Sequence, residues 1–185
     1  MKFNYSGYAL KFIQKKPCKD ESAHELTVIF KFHSPLTRLH YIINADYHKE
    51  DVFGIKFYAQ KDSKSDLKYN KIINKGDLGN ILITCAKAVP ILLKKYPSAS
   101  FGFIGSRSVD EKSLKAEDYH NNQRFKIYKY LVKKKFGTRT FEHFEYKTLS
   151  GYLLINKHNK DIQKKERAIV KMFSETYNHL PDLTL

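Results

Sequence analysis

The first sixty residues alternate apolar and polar side chains with a period of two, and no other feature of the chain restricts its fold as strongly. Successive side chains of a strand point to opposite faces, so this period puts one set on a single sheet face. Phe3 and Tyr5 give way across Gly7 to Tyr8, Leu10 and Phe12. Leu26, Val28, Phe30 and Phe32 follow, then Leu39, Tyr41, Ile43, Ala45 and Tyr47, then Phe53, Ile55, Phe57 and Ala59. KKPCKDES at 15–22 is a turn signal, and KDSKSD at 61–66 breaks the pattern. Four strands with short polar connections predict an antiparallel meander.

The period then lengthens. Asp77 is suited to cap a helix reaching about residue 95, apolar at Leu78, Ile81, Leu82, Cys85, Val89 and Leu92, with Pro90 expected to kink or split its last turns. Cys85 on that stripe reads as a small core residue. ASFGFIG at 99–105 predicts a short buried strand, and a polar loop runs from 106 to about 115. A second helix is expected over 117–136, with Gly137 as its cap. Strands at 140–146 and 151–157 form a hairpin, and a last helix spans 160–180, stopped by Pro181. This order predicts a single α+β domain over 1–185: an N-terminal antiparallel β meander, then helix-strand-helix-hairpin-helix, with the helices packed on one sheet.

Charge narrows the functional classes. The chain holds 34 Lys and Arg against 19 Asp and Glu, a net +15, while 42% hydrophobic residues supply a core that a disordered polycation lacks. No apolar run approaches the roughly 18 residues of a membrane span, and the start MKFNYSGYALKFIQKK does not fit a signal peptide, so a soluble cytoplasmic protein with no membrane partner is expected. Cys18 and Cys85 are too few for a disulfide framework and lack CxxC spacing, and no HxH or HExxH occurs. No metal and no cofactor are expected.

The surplus is concentrated. Residues 121–171 hold 14 basic and 4 acidic side chains, a net +10 in about a quarter of the chain. On the last helix Lys160, Lys164, Arg167 and Lys171 follow i, i+4, i+7, i+11 and form one stripe, and Lys126, Lys129 and Lys133 do the same on the second. If these helices lie side by side, they line a shared positive surface for a phosphate backbone. Gly105, Ser106 and Arg107 lie just past a strand end, and Arg124 and Tyr128 are one helical turn apart. A loop folding back over that helix would join Ser106, Arg107, Arg124 and Tyr128 in an anion-binding cluster. His143, on the strand TFEHFEY, is the candidate general base on a ribose 2′-hydroxyl, with Arg124 and Tyr128 completing the catalytic set.

From residue 76 to 157, the helix ending in KKYPSAS, then FGFIGS, QRFKIYKYLV and a hairpin ending in YLLIN, the chain resembles small uncharacterised proteins of Bacteroidota genomes. The resemblance implies a bacterial or phage origin and assigns no activity. By analogy with small basic toxins, the expected function is nucleic-acid binding, RNA favoured, extending to a metal-independent ribonuclease of toxin or defence type. The alternative is a non-catalytic interaction module for an acidic protein partner such as an antitoxin. Oligomeric state is not predicted.

Overall fold

The computed structural model describes residues 5–71, 76–106 and 117–177. Seven strands form one sheet: β1 (Lys11–Pro17), β2 (His24–Ser34), β3 (Leu39–His48), β4 (Val52–Ala59), β5 (Ser100–Ile104), β6 (Phe141–Tyr146) and β7 (Gly151–Asn156), in the order β1-β2-β3-β4-β5-β7-β6. The first four are the antiparallel meander that the period of two predicts. β4 and β5 run parallel, joined by α1 (Leu78–Ala86) and α2 (Ala88–Leu93). β5 pairs antiparallel with β7, and β7 with β6. α3 (Gln123–Lys135) precedes β6 and α4 (Ile162–Thr176) follows β7.

The helices share one sheet but not one face. Val28, Phe30, Tyr41, Ile43, Phe53 and Phe101 meet Ile81, Val89 and Leu92 of α1 and α2, and Phe125 and Val132 of α3, in the larger core. Alternate residues Val52, Leu153 and Ile155 meet Ile169, Val170 and Met172 of α4 on the other side. β7 is therefore buried along its whole length, both faces apolar, as a strand between two helical layers must be. Among the described residues no helix is long and apolar enough to cross a membrane.

Several element boundaries differ from those the periodicity predicts. The first strand forms at Lys11–Pro17, later than the Phe3–Phe12 alternation predicts. Gly7 has φ +66°, and the chain before β1 binds α1 instead: Gly7 N–H donates to Asn80 Oδ1 (3.2 Å) and Tyr8 N–H to Thr84 Oγ1 (2.8 Å), while the Tyr8 ring stacks on Phe32. The first helix splits at Lys87, because Pro90 has no N–H for the Ala86 carbonyl and its ring clashes with that turn. Asp77 occupies the N-cap position, but its carboxylate accepts from Tyr8 (2.7 Å), from Asn80 (2.9 Å) and from Ser34 and makes no bond to the helix backbone. α3 begins at Gln123, six residues later than expected, and ends on Phe136 in extended backbone, so Gly137 is not a left-handed cap. α4 ends at Thr176; Leu180 and Pro181 lie outside the described residues.

Candidate functional site

The N-terminus of α3 is fixed by the segment that the sequence marks as a ligand loop. Asn122 caps the helix by accepting from Phe125 N–H (2.9 Å), and its amide donates to the Gly105 carbonyl (2.5 Å). Its own N–H donates to Ser150 Oγ (2.8 Å), and Gly105 N–H to the Ser150 carbonyl (2.9 Å). A Cβ on Gly105 would lie 2.6 Å from Asn122 Oδ1 and 2.9 Å from Phe125 N, so this position must be glycine. Gly105 thus serves helix docking.

Beyond Gly54 and Gly102 the parallel strands β4 and β5 stop pairing, and a cavity opens between their carboxyl ends, roofed by α1 and α3. Ser106, Arg124 and Tyr128 all line it. Arg107 lies outside the described residues. Arg124 is already engaged: Nη2 donates to the carbonyls of Asn70 (2.9 Å) and Lys71 (2.8 Å), and Nη1 to that of Tyr69. It ties the turn after β4 onto α3 and leaves no open fork for a phosphate. Burial pushes the Tyr128 hydroxyl up to about 12, against the pull of Arg124.

His143 is not among the residues lining this cavity. It faces the far end of α3, where Lys133 and the Phe136 backbone are its neighbours. Lys133 is nine residues from Arg124, about 14 Å along the helix axis. Nδ1 of His143 sits 2.9 Å from the Tyr152 hydroxyl, Nε2 is buried near the Phe136 backbone, and burial lowers the imidazole pKa. The structure therefore brings Ser106, Arg124 and Tyr128 together and sets His143 apart from them.

The two lysine stripes also separate. α3 and α4 pack on opposite faces of the sheet, so no shared surface forms between them. On α3, Lys129 and Lys133 both grip Glu145 of β6, at 2.5 and 2.6 Å. Burial works against ionisation of Glu145, but the two ammoniums prevail and hold its carboxyl below the usual range. Lys126, Lys129, Lys133 and Lys134, with Lys147 beyond β6, line an open depression on this side. Lys164, Arg167 and Lys171 are exposed on the face of α4 away from the sheet, whereas the helix begins only at Ile162, so Lys160 lies before the Asp161 cap and is exposed beside the helix start instead of on its stripe. Lys171 lies 3.8 Å from Glu175, and among the described residues no carboxylate pairs with Lys160, Lys164 or Arg167.

Beside α4 no helix covers the same sheet face over β2, β3 and β4, where Lys31, Asn44, Lys56 and Tyr58 are half-buried and Asn44 donates to the Tyr69 hydroxyl (3.2 Å) of the segment after β4. Tyr69 stands edge-on to Tyr58 (5.4 Å between centroids), and Lys68 lies over both rings. Lys56 pairs with the buried Asp46 (2.6 Å), which also accepts from Thr27 (2.6 Å).

Sequence reasoning missed a buried polar cluster where α4 ends. His48 Nε2 is 2.6 Å from the Tyr177 hydroxyl, and the His24 and His48 rings lie 5.1 Å apart on paired strands. The only sequence signal for it was polar residues at alternate positions of β3: Asn44, Asp46, His48. No family model matches the chain, and neither a curated protein nor a solved structure does.

Proposed function

We propose that this protein binds nucleic acid through its phosphates, single-stranded RNA favoured, with the outer face of α4 as the principal contact. The observation that carries this reading is the outer face of α4: Lys164, Arg167 and Lys171 exposed in line along the helix with Lys160 exposed just before its cap, and only Lys171 facing a carboxylate among the described residues. Lysines so placed release counterions from a phosphate backbone on contact. The half-buried Tyr58 and Tyr69 beside α4, with Lys68 against both rings, favour unpaired bases, because aromatic rings and lysines together are the combination that binds single strands.

The proposal is one of binding. A ribonuclease built on His143 needs that ring beside Arg124 and Tyr128, whereas it faces the opposite end of α3 with a buried Nε2. The test is fluorescence anisotropy of single-stranded RNA and duplex DNA over about 50 to 300 mM salt, with gel analysis of the RNA in EDTA. Four phosphate contacts predict a slope near −3 in log affinity against log salt for a single strand. Tighter binding to RNA, with the strand left intact, is expected. Affinity independent of salt would sink the reading, and His143-dependent cleavage would restore the catalytic one.

A further inference from the structure

The cavity between α1 and α3 plays no part in phosphate binding along α4, and its chemistry differs. Its walls are apolar, with Phe57 and Phe103 from the strands facing Leu82 and Leu131 from the helices. Polar side chains in its lining are Lys56, Tyr69, Ser106, Arg124 and Tyr128; Lys56 is paired with Asp46 and the Tyr69 hydroxyl accepts from Asn44, which leaves Ser106, Arg124 and Tyr128 to meet a ligand. No hydrogen bond is made to the Ser106 or Tyr128 hydroxyl among the described residues. Among the described residues Arg124 meets only carbonyl oxygens, which orient a guanidinium without neutralising it. The free space takes a few waters, about what one six-membered ring displaces.

Position adds to this. The cavity lies beyond the carboxyl ends of β4 and β5, the parallel pair of this sheet, and that is the end of parallel strands at which α/β sheets gather ligands. A slot with apolar walls, an uncompensated cation and two idle hydroxyl donors complements a small anion with an apolar body. A phosphate is a poor fit, since the Arg124 fork is spent on backbone and only two hydroxyls remain.

We propose that this cavity is a binding site for a small monocarboxylate with a ring-sized apolar body, the ring between Phe57, Phe103 and Leu131 and the carboxylate toward Ser106, Arg124 and Tyr128. The site is independent of the nucleic-acid reading. Benzoate is the probe, and benzyl alcohol its neutral counterpart, each titrated to about 10 mM while the methyl resonances of Ile55, Leu82 and Leu131 are followed. Benzoate is expected to shift these methyls with a Kd on the order of 1 mM, as suits so few atoms, and benzyl alcohol to bind at least about tenfold more weakly. Tyr128→Phe keeps the ring and removes one donor, and should weaken benzoate about fivefold. Ala86→Leu narrows the cavity from α1 and should abolish the shifts. Methyls that do not move, or that move equally in Ala86→Leu, overturn the site; equal binding of benzoate and benzyl alcohol overturns the recognition of charge.

Discussion

α3 and α4 carry the same sequence pattern, an apolar stripe with a lysine stripe beside it, yet what faces each helix makes them different surfaces. α3 is built into the frame: Asn122 and Gly105 lock its start, Arg124 holds the turn after β4, and Glu145 takes up Lys129 and Lys133. α4 lies across β7 on the other face, capped by Asp161, which accepts from Lys164 N–H (2.9 Å); Lys165 pairs with Glu50, while Lys164, Arg167 and Lys171 are exposed, with Glu175, 3.8 Å from Lys171, their one described acid. A stripe on a helical wheel thus predicts where cations sit. Whether they are available depends on the strand opposite.

The largest expected effect concerns how α4 is held. Its C-terminal end is pinned where the Tyr177 hydroxyl meets His48, which is 1% exposed, with His24 and Asp46 facing it from β2 and β3 and Phe173 from α4. Burial, helped by His24, lowers the His48 pKa to about 4 from the ordinary 6.5. The unfolded chain then takes up the proton first as pH falls. The stability this represents is present above about pH 6.5 and is lost between there and pH 4, a change on the order of 3 kcal/mol. Urea unfolding from pH 7 to 4 should show this loss in the wild type and lack it in His48→Gln, which keeps a partner for Tyr177 and cannot titrate. The same acid limb in both proteins would remove His48 from the attachment of α4.

Next in size is the contrast in binding. Charge reversal at Lys164, Arg167 and Lys171 removes three phosphate contacts, which for a single strand at about 0.1 M salt is worth on the order of a hundredfold in affinity, and it should flatten the salt slope by about 2. Reversal at Lys126, Lys134 and Lys147 should cost less than about fivefold, because they lie on the other side of the sheet from α4. Equal losses from the two triple variants, measured by anisotropy, would erase the distinction drawn above.

Much of the frame was legible in the sequence because a period of two or 3.6 records which side of an element is dry. The meander and the split at Pro90 follow from residues acting locally. The face on which a helix packs does not: Ile169 and Val132 are equally apolar, and only the register of β7, which turns Leu154 one way and Leu153 the other, sends α3 and α4 to opposite sides. The site suffered from the same gap. Arg124 and Tyr128 at i, i+4 do line one cavity with Ser106, as their spacing implied, but the carbonyls that occupy Arg124 come from a turn more than fifty residues earlier. Glu145 reaches Lys129 and Lys133 across elements in the same way, from a strand whose own alternation says nothing about α3.

Glu145 therefore offers the finest test of the comparison. Its carboxylate stands between two ammoniums at 2.5 and 2.6 Å, with 21% of its side chain exposed. Glu145→Gln preserves shape and hydrogen-bonding reach while deleting the charge, so Lys129 and Lys133 regain their full attraction for an external anion. One further phosphate contact by a single strand at about 0.1 M salt is worth roughly fivefold. The substitution is best made in the background reversed at Lys164, Arg167 and Lys171, where binding at α4 is silent. There RNA affinity should rise about fivefold without reaching the wild-type value, and the salt slope should steepen by about 0.7. A rise of that size assigns the weakness of α3 to the strand that neutralises it. No rise at all would mean that the geometry of the α3 face excludes a phosphate backbone even when its lysines are released.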